Sequence, residues 1–134
     1  MTLTFAWRAP FTSPELRRLH AASFGGGDSA GPIDWWARVN AHSLGWVVAR
    51  DGAALAGFVN VAWDGGEHAF VLDTMVAAPY RRTGAGTRLV ALAAEGARAT
   101  GCRWLHVDFE PHLTKFYLES CGFSPTPAGL VSLA

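Results

Sequence analysis

The stretch from Val76 to Val90 constrains the fold of this chain more than any other part of the sequence. An apolar run closed by Pro79 leads into Arg81-Arg82-Thr83-Gly84-Ala85-Gly86, where an alanine-rich segment with helical periodicity begins. A strand, a glycine loop and a helix start in this order form a site for a phosphorylated ligand. The first N–H groups of the helix have no partner within it, and the helix dipole favours negative charge.

The composition predicts one packed domain over residues 1–134. Half of the 134 residues are apolar and 16% are charged, which argues against disorder. Because Lys plus Arg (11) equals Asp plus Glu (11), no overall charge favours a nucleic acid or a membrane as partner. No apolar run reaches membrane-spanning length, and the N-terminus has no signal-like pattern, so we expect a cytoplasmic protein. Cys102 and Cys121 lack metal-ligand spacing, which predicts reduced thiols and no metal site.

The first part of the chain predicts an antiparallel meander with two helices. A strand over 3–8 is followed by a helix that starts at Ser13-Pro14 and by a short helix over 33–39. Strands are predicted over 46–50, 54–63 and 68–76, because Asp51-Gly52 is a hairpin signal and Asp64-Gly65-Gly66 a turn. Gly57 is expected to mark a bulge or a close approach of two backbones.

The second part predicts a parallel pair of strands. A helix over 84–100 crosses to a strand over 104–108, which makes this strand parallel to the one before the loop. A short helix is predicted over 113–120, and terminal strands around Phe123 and over 130–133. The predicted fold class is α+β with a mixed sheet: an antiparallel meander, then a parallel pair, with helices on both faces.

Two motifs together identify a family. The segment Arg81–Gly86 lacks the Lys-Ser/Thr of a P-loop and the third glycine of a dinucleotide fingerprint. It fits Arg-x-x-Gly-x-Gly after a strand that ends in Val-x-x-Pro, and Phe116-Tyr117 followed by Gly122-Phe123 forms a second pattern. Together they resemble the GCN5-related N-acetyltransferase (GNAT) superfamily, over about residues 46 to 123.

The resemblance implies acetyl-CoA as cofactor. The loop N–H groups from about Arg82 to Thr87 would bind the pyrophosphate, with Arg81 or Arg82 paired to phosphates. The strand before the loop would splay from its parallel neighbour after a bulge. The acetyl-pantetheine arm would lie in that gap and form hydrogen bonds with the backbone near Met75 and Val76. The cofactor-binding residues so implied are Met75, Val76, Arg81, Arg82, Thr83, Gly84, Ala85, Gly86 and Thr87.

The resemblance also implies catalytic residues. Tyr117 matches the family tyrosine that protonates the leaving thiolate, a role that suits a phenol with a pKa near ~10. An amine must lose a proton before it attacks, and Asp73, three residues before Val76, is the first candidate base. Alternatives are Glu67, His68, Glu110 and His112. The chain departs from the family where an asparagine and an alanine usually precede the tyrosine, since Glu110 and Leu113 stand there.

The expected reaction is acetyl transfer to a primary amine of a small molecule or peptide, by direct attack in a ternary complex. The cysteines have no adjacent base, which disfavours an acetyl-cysteine intermediate. The alternatives are a non-catalytic acyl-CoA sensor or an interaction module on the same fold. We expect a monomer or a homodimer. The residues expected to form the acceptor wall are Phe24, Trp35, Trp36, Phe109 and Glu110.

Overall fold

A five-stranded mixed sheet organises the computed structural model, which describes residues 2–25 and 32–134. The strands follow one another in the order β1-β2-β3-β4-β5. The first three pairings are antiparallel, and β4 and β5 pair in parallel, so the predicted α+β class with a mixed sheet is confirmed. The strands are β1 Thr4–Trp7, β2 Ser43–Asp51, β3 Ala54–Trp63, β4 His68–Val76 and β5 Trp104–His106.

Helices cover both faces of this sheet. Helices α1 (Ser13–Phe24) and α2 (Trp35–His42) pack on one face, and α3 (Ala85–Thr100) packs on the other. Three short segments complete the order: the 3₁₀ turns Ala78–Tyr80 and Pro111–Leu113, and a π-helix over Lys115–Ser120, here called the C-terminal helix. None of the helices in the described ranges is long and apolar enough to cross a membrane.

The sheet is buried between two apolar layers. On the α3 face, Leu89, Ala93 and Ala97 are buried against inward residues of β2 and β3, and Leu92 is partly buried beside them. On the other face, Trp46, Val48 and Phe58 pack with residues of α1 and α2. Because β2 and β3 are buried on both faces, their sequences read as nearly continuous apolar runs rather than as strict alternation.

Two β-bulges shape the strands that lead to the glycine loop. The β2–β3 register passes from Ala49–Gly57 to Arg50–Leu55, as predicted for Gly57, and a Cβ there would lie 3.0 Å from the Met75 carbonyl oxygen. The β3–β4 register shifts between Phe58–Met75 and Asn60–Leu72, so β4 carries an extra residue around Asp73. Asp73 has a φ of 55°, a left-handed conformation that Asp tolerates better than most residues.

The parallel strands separate soon after they pair. Strand β5 is shorter than the predicted 104–108, because β4 and β5 pair only over His68 to Phe70 and Trp104 to His106. Beyond Phe70 the β5 side of β4 has no partner strand among the described residues. The splay therefore leaves backbone groups of β4 free to bind a ligand in the gap.

The predicted terminal strands are wrong. The chain forms no strand after β5 in residues 107–134, and Leu130, Val131 and Leu133 are largely exposed. Pro125 and Pro127 have no N–H to give to a sheet. The N–H of Phe123 donates instead to the Tyr117 carbonyl at 3.0 Å and ends the C-terminal helix.

An ion pair fastens α1 to the end of β2. Glu15 forms a capping box with Thr12 and a two-pronged ion pair with Arg50, at 2.8 and 2.9 Å. Hydrogen bonds from Arg50 are the main cause that lowers the pKa of Glu15 to about 2. A carboxyl group with a lowered pKa stabilises the fold fully at pH values above its pKa in the unfolded chain. This stabilisation is lost as the pH falls toward the pKa of the group in the folded protein.

We expect Glu15→Gln to lower the free energy of unfolding by about 1–2 kcal/mol at neutral pH. The difference between parent and variant should shrink as the pH falls from 4.5 toward about 2, where Glu15 takes up its proton. Urea titrations at several pH values measure this difference. The control is Glu95→Gln, on the exposed side of α3. A loss that stays constant with pH would contradict the proposed ion pair.

Candidate active site

The loop before α3 presents a row of backbone N–H groups. From Arg82 to Thr87, no N–H has a hydrogen-bond partner in the described chain, and the first bonded one is that of Arg88, to Gly84 at 3.0 Å. Arg82 (φ 62°) and Gly84 (φ 86°) both adopt left-handed conformations, which turn successive N–H groups toward one side. The arrangement can bind an anion such as a pyrophosphate.

Side-chain hydrogen bonds stabilise this loop, and they hold Arg81 but not Arg82. The Thr83 hydroxyl donates to the Tyr80 carbonyl at 2.5 Å, and the Tyr80 hydroxyl donates to Asp51 at 2.8 Å. Arg81 donates through Nε to the Val76 carbonyl at 3.0 Å, which ties it to the end of β4. Arg82 is exposed and has no hydrogen-bond or ion-pair partner within residues 2–25 and 32–134. Arg82 is therefore the arginine of this pair that is better placed to meet a phosphate.

A cleft of about 420 Å³ opens where β4 and β5 separate. Its walls come from β4 at and around the bulge, from the segment that follows β5, from the C-terminal helix, and from the end of α1. The strand pairing that stops at Phe70 is thus the direct cause of the cleft. The lining residues are Phe24, Val71, Leu72, Asp73, Thr74, Asp108, Phe109, Glu110, Leu113, Tyr117 and Leu130.

Tyr117 reaches across this cleft. Its side chain is 6% exposed, and its hydroxyl donates to the Thr74 hydroxyl at 3.2 Å. The ring stacks on Phe109 with centroids 5.0 Å apart. Burial raises the pKa of Tyr117, with smaller contributions from Cys121 and Asp108 and an opposing one from the Thr74 bond. The phenol therefore holds its proton at neutral pH, as a general acid must.

Asp73 lies in the same cleft, next to Tyr117's partner Thr74. Burial raises the pKa of Asp73, while His20, a hydrogen bond from Asn60 and Arg38 oppose the shift. Asn60 is itself buried, and its side-chain oxygen accepts a bond from Ser43 at 2.5 Å. The bulge thus places a carboxylate of raised pKa beside a protonated phenol, so the cleft holds both a proton acceptor and a proton donor.

Three of the five residues predicted for the acceptor wall line the cleft, and two do not. Phe24, Phe109 and Glu110 line the cleft. Trp35 does not, because α2 buries it in the core at 3% exposure, where it contacts His20. Trp36 does not either, since it packs edge-on against Phe11 at 5.1 Å. The prediction that both tryptophans line the acceptor site is therefore not met, since Trp35 is in the core and Trp36 is partly exposed outside the cleft.

The alternative bases lie away from the cleft, apart from Glu110. Glu67 pairs with Arg103 at 3.9 Å, and Nδ1 of His68 lies 2.7 Å from Nε2 of His106. His112 does not line the cleft. Asp73 and Glu110 are the members of that set that face the gap.

Three polar residues that line or support the cleft were not predicted from the sequence. Asn60 had a signal, because it is the one polar residue in the apolar run Phe58–Ala62. Thr74 and Asp108 had none, since their positions depend on the bulge in β4 and the early end of β5.

A second groove, of about 590 Å³, adjoins the glycine loop on the side of β1. Arg88 is its only titratable lining residue among those described, and the rest are small or apolar side chains. It therefore offers no acid or base for a reaction, and the chemistry belongs to the cleft.

The cysteines have the properties of unreactive thiols. Burial raises the pKa of Cys121 to about 11, and the pKa of Cys102 is also raised, mainly by burial. Both remain protonated near neutral pH, which argues against a nucleophilic role. Among the residues that the structure describes, no group of three His, Cys, Asp or Glu side chains could hold a metal ion.

Comparison with protein families gives one match over most of the chain. The model of the acetyltransferase (GNAT) family matches residues 6–123. No curated protein matches the sequence significantly.

Solved structures share the fold over nearly the whole chain. A GNAT family acetyltransferase from Streptococcus pneumoniae is 22% identical, with a TM-score of 0.77 and coverage of 99% of this chain and 100% of that one. Glucosamine-6-phosphate N-acetyltransferase from Arabidopsis thaliana is 16% identical, with a TM-score of 0.76 and coverage of 96% and 97%. An aminoglycoside N-acetyltransferase in complex with CoA is 16% identical, with a TM-score of 0.78 and coverage of 99% and 95%. At these identities the likeness supports the fold.

Proposed function

Because the chain belongs to the acetyltransferase (GNAT) family, we propose that it transfers an acetyl group from acetyl-CoA to a primary amine of a small molecule or peptide, by direct attack in a ternary complex. One observation carries the proposal. The splay of β4 and β5 opens a cleft that holds a buried phenol and a half-buried carboxylate, next to a loop whose N–H groups have no partner in the described chain.

The residues present suit coenzyme A. The N–H groups from Arg82 to Thr87 have no partner among the residues that the structure describes and would hold the pyrophosphate, with Arg82 supplying a charge. Met75 and Val76 lie at the end of β4, where no strand among the described residues pairs with its β5 side. When bound, acetyl-CoA supplies the acetyl group as an activated thioester.

Tyr117 would act as the general acid. Its hydroxyl donates to Thr74, which also lines the cleft, and its raised pKa keeps the phenol protonated at neutral pH. The proton is therefore available when the thiolate of coenzyme A leaves. The ring is fixed between Phe109 and Phe116, with centroid distances of 5.0 and 4.8 Å, so the hydroxyl is held in position by packing.

Asp73 is our candidate base, and its role predicts a pH effect. It accepts a proton only when ionised, so activity should rise with pH through its raised pKa. We expect Asp73→Asn to lower kcat/KM by about 10- to 100-fold and to remove this rise. Asn also tolerates the left-handed φ at the bulge, so the variant should fold. A pH–rate profile that matches the parent in shape would count against Asp73 as the base.

The size of the cleft supports a small amine or a single peptide side chain as acceptor. A volume of about 420 Å³ is in the range of sites for small ligands. The names of two structural neighbours indicate amine acceptors on small molecules, an aminoglycoside and glucosamine-6-phosphate. We therefore expect turnover with small primary amines before it is found with folded proteins.

Thermal shift with acetyl-CoA, followed by thiol release with a panel of amines and peptides, tests the proposal. We expect stabilisation by acetyl-CoA and thiol release that depends on an amine. Absence of stabilisation by any acyl-CoA would contradict the cofactor assignment. Stabilisation without thiol release across the panel would indicate a sensor that binds the cofactor without catalysis.

A further inference from the structure

The charges around the proposed site are separated by sign. Three arginines lie on or beside the glycine loop, where the cofactor would bind: Arg81, Arg82 and Arg88. The cleft has the opposite character, since Asp73, Asp108 and Glu110 line it and no Lys, Arg or His in the described part of the chain does. The chain as a whole has a formal net charge of zero, so this acidic cleft is a local feature.

We propose that the acceptor carries a second positive charge, as a diamine does, and that Asp108 and Glu110 bind that second charge at the mouth of the cleft. This inference rests on the proposed function. Asp73 faces the reacting amine, which leaves the other two carboxylates without a part in the chemistry. Both are exposed and form no ion pair or side-chain hydrogen bond with the rest of the described chain.

The positions of Asp108 and Glu110 suit the binding of a second charge close to the reacting amine. Asp108 and Glu110 flank Phe109, whose ring stacks on Tyr117. Asp108 is close enough to the phenol to contribute to its raised pKa. A cation bound between these acids would therefore lie within one small molecule's length of the reacting group, which suits a compact ligand with two amines.

The remaining walls suit a short apolar linker. The same cleft has aliphatic and aromatic surface, supplied by Phe24, Leu72, Leu113 and Leu130. An alkyl chain between two ammonium groups matches a cleft that combines carboxylates with apolar surface. A carboxylate or phosphate on the acceptor would instead meet like charge, which costs affinity.

Matched amines of one length test the inference. We expect kcat/KM for 1,4-diaminobutane to exceed that for butylamine by about tenfold at low salt, and that for 4-aminobutyrate by more. Added salt should narrow these differences, because the acids are exposed. Diamines with three to six carbons then locate the preferred spacing.

In the double variant Asp108→Asn, Glu110→Gln, the ratio of kcat/KM for the diamine to kcat/KM for the monoamine should fall close to one. The control Glu95→Gln, which changes an exposed acid on α3, should keep the parent ratio. Stabilisation by acetyl-CoA checks that each variant is folded. Equal kcat/KM for the three amines in the parent would overturn the inference and leave the proposed function standing. Absence of thiol release with every amine would overturn both.

Discussion

Replacing Tyr117 with phenylalanine is expected to lower kcat by about 100-fold or more, the usual range for loss of a general acid. The variant loses one oxygen and keeps the ring that packs on Phe109 and Phe116. The buried hydroxyl now bonded to Thr74 is the only part that changes. Binding of acetyl-CoA, measured by thermal shift, should therefore stay near the parent value while turnover collapses.

The pKa of Tyr117 can be read directly, because the chain has two tyrosines. In a Tyr80→Phe background, the phenolate absorbance reports Tyr117 alone. We expect titration above the ordinary value of 10.0, owing first to burial. Turnover of Tyr117→Phe equal to that of the parent, in an assay limited by chemistry, would remove the acid role.

Gly84→Asp is expected to weaken acetyl-CoA binding by about 10- to 100-fold relative to Gly84→Asn. Gly84 is the N-cap of α3 in a left-handed conformation, and a Cβ there would meet no atom within 4 Å. Asn and Asp both tolerate this conformation and have nearly the same shape. The pair therefore differs in one negative charge, placed beside the N–H groups proposed for the pyrophosphate.

Stability should move in the opposite direction. A carboxylate at the start of α3 interacts favourably with the helix dipole and with the free N–H groups, so the free energy of unfolding of Gly84→Asp should equal or exceed that of Gly84→Asn. Isothermal titration with acetyl-CoA and urea unfolding measure the two effects. Equal affinities for the Asp and Asn variants would show that the cofactor phosphates bind elsewhere.

The parts of the fold set by local patterns were predictable. The glycine loop, the helix that follows it and the hairpin at Asp51-Gly52 were each predicted from residues close together in sequence. The bulge at Gly57 was predictable for the same reason, because a glycine inside a strand often marks a bulge or a close approach of two backbones.

The acceptor side of the site was harder to predict, because it depends on contacts between distant residues. The bond between Tyr117 and Thr74 joins residues 43 apart, and Asn60 reaches Asp73 from a neighbouring strand. The sequence places Trp35 and Trp36 near this region but does not say which way α2 faces. Helix packing turned Trp35 into the core and Trp36 toward Phe11.

The terminal segment shows why strand propensity alone misleads. Leu130-Val131-Ser132-Leu133 has the composition of a strand, yet β-propensity mainly reports how well residues suit a half-buried surface. In this structure the segment has no such surface, and Leu133 is 94% exposed. One residue of it, Leu130, lines the cleft instead.

Mass spectrometry of both protein and small molecules, in one quenched reaction with acetyl-CoA and a diamine, tests direct acetyl transfer in the cleft. The proposed mechanism predicts acetylated amine in equal amount to released thiol, with no acetyl group on Cys102 or Cys121. In Tyr117→Phe both products should fall together. An acetylated cysteine that passes its acetyl group to the amine, or thiol released without acetylated amine, would contradict it.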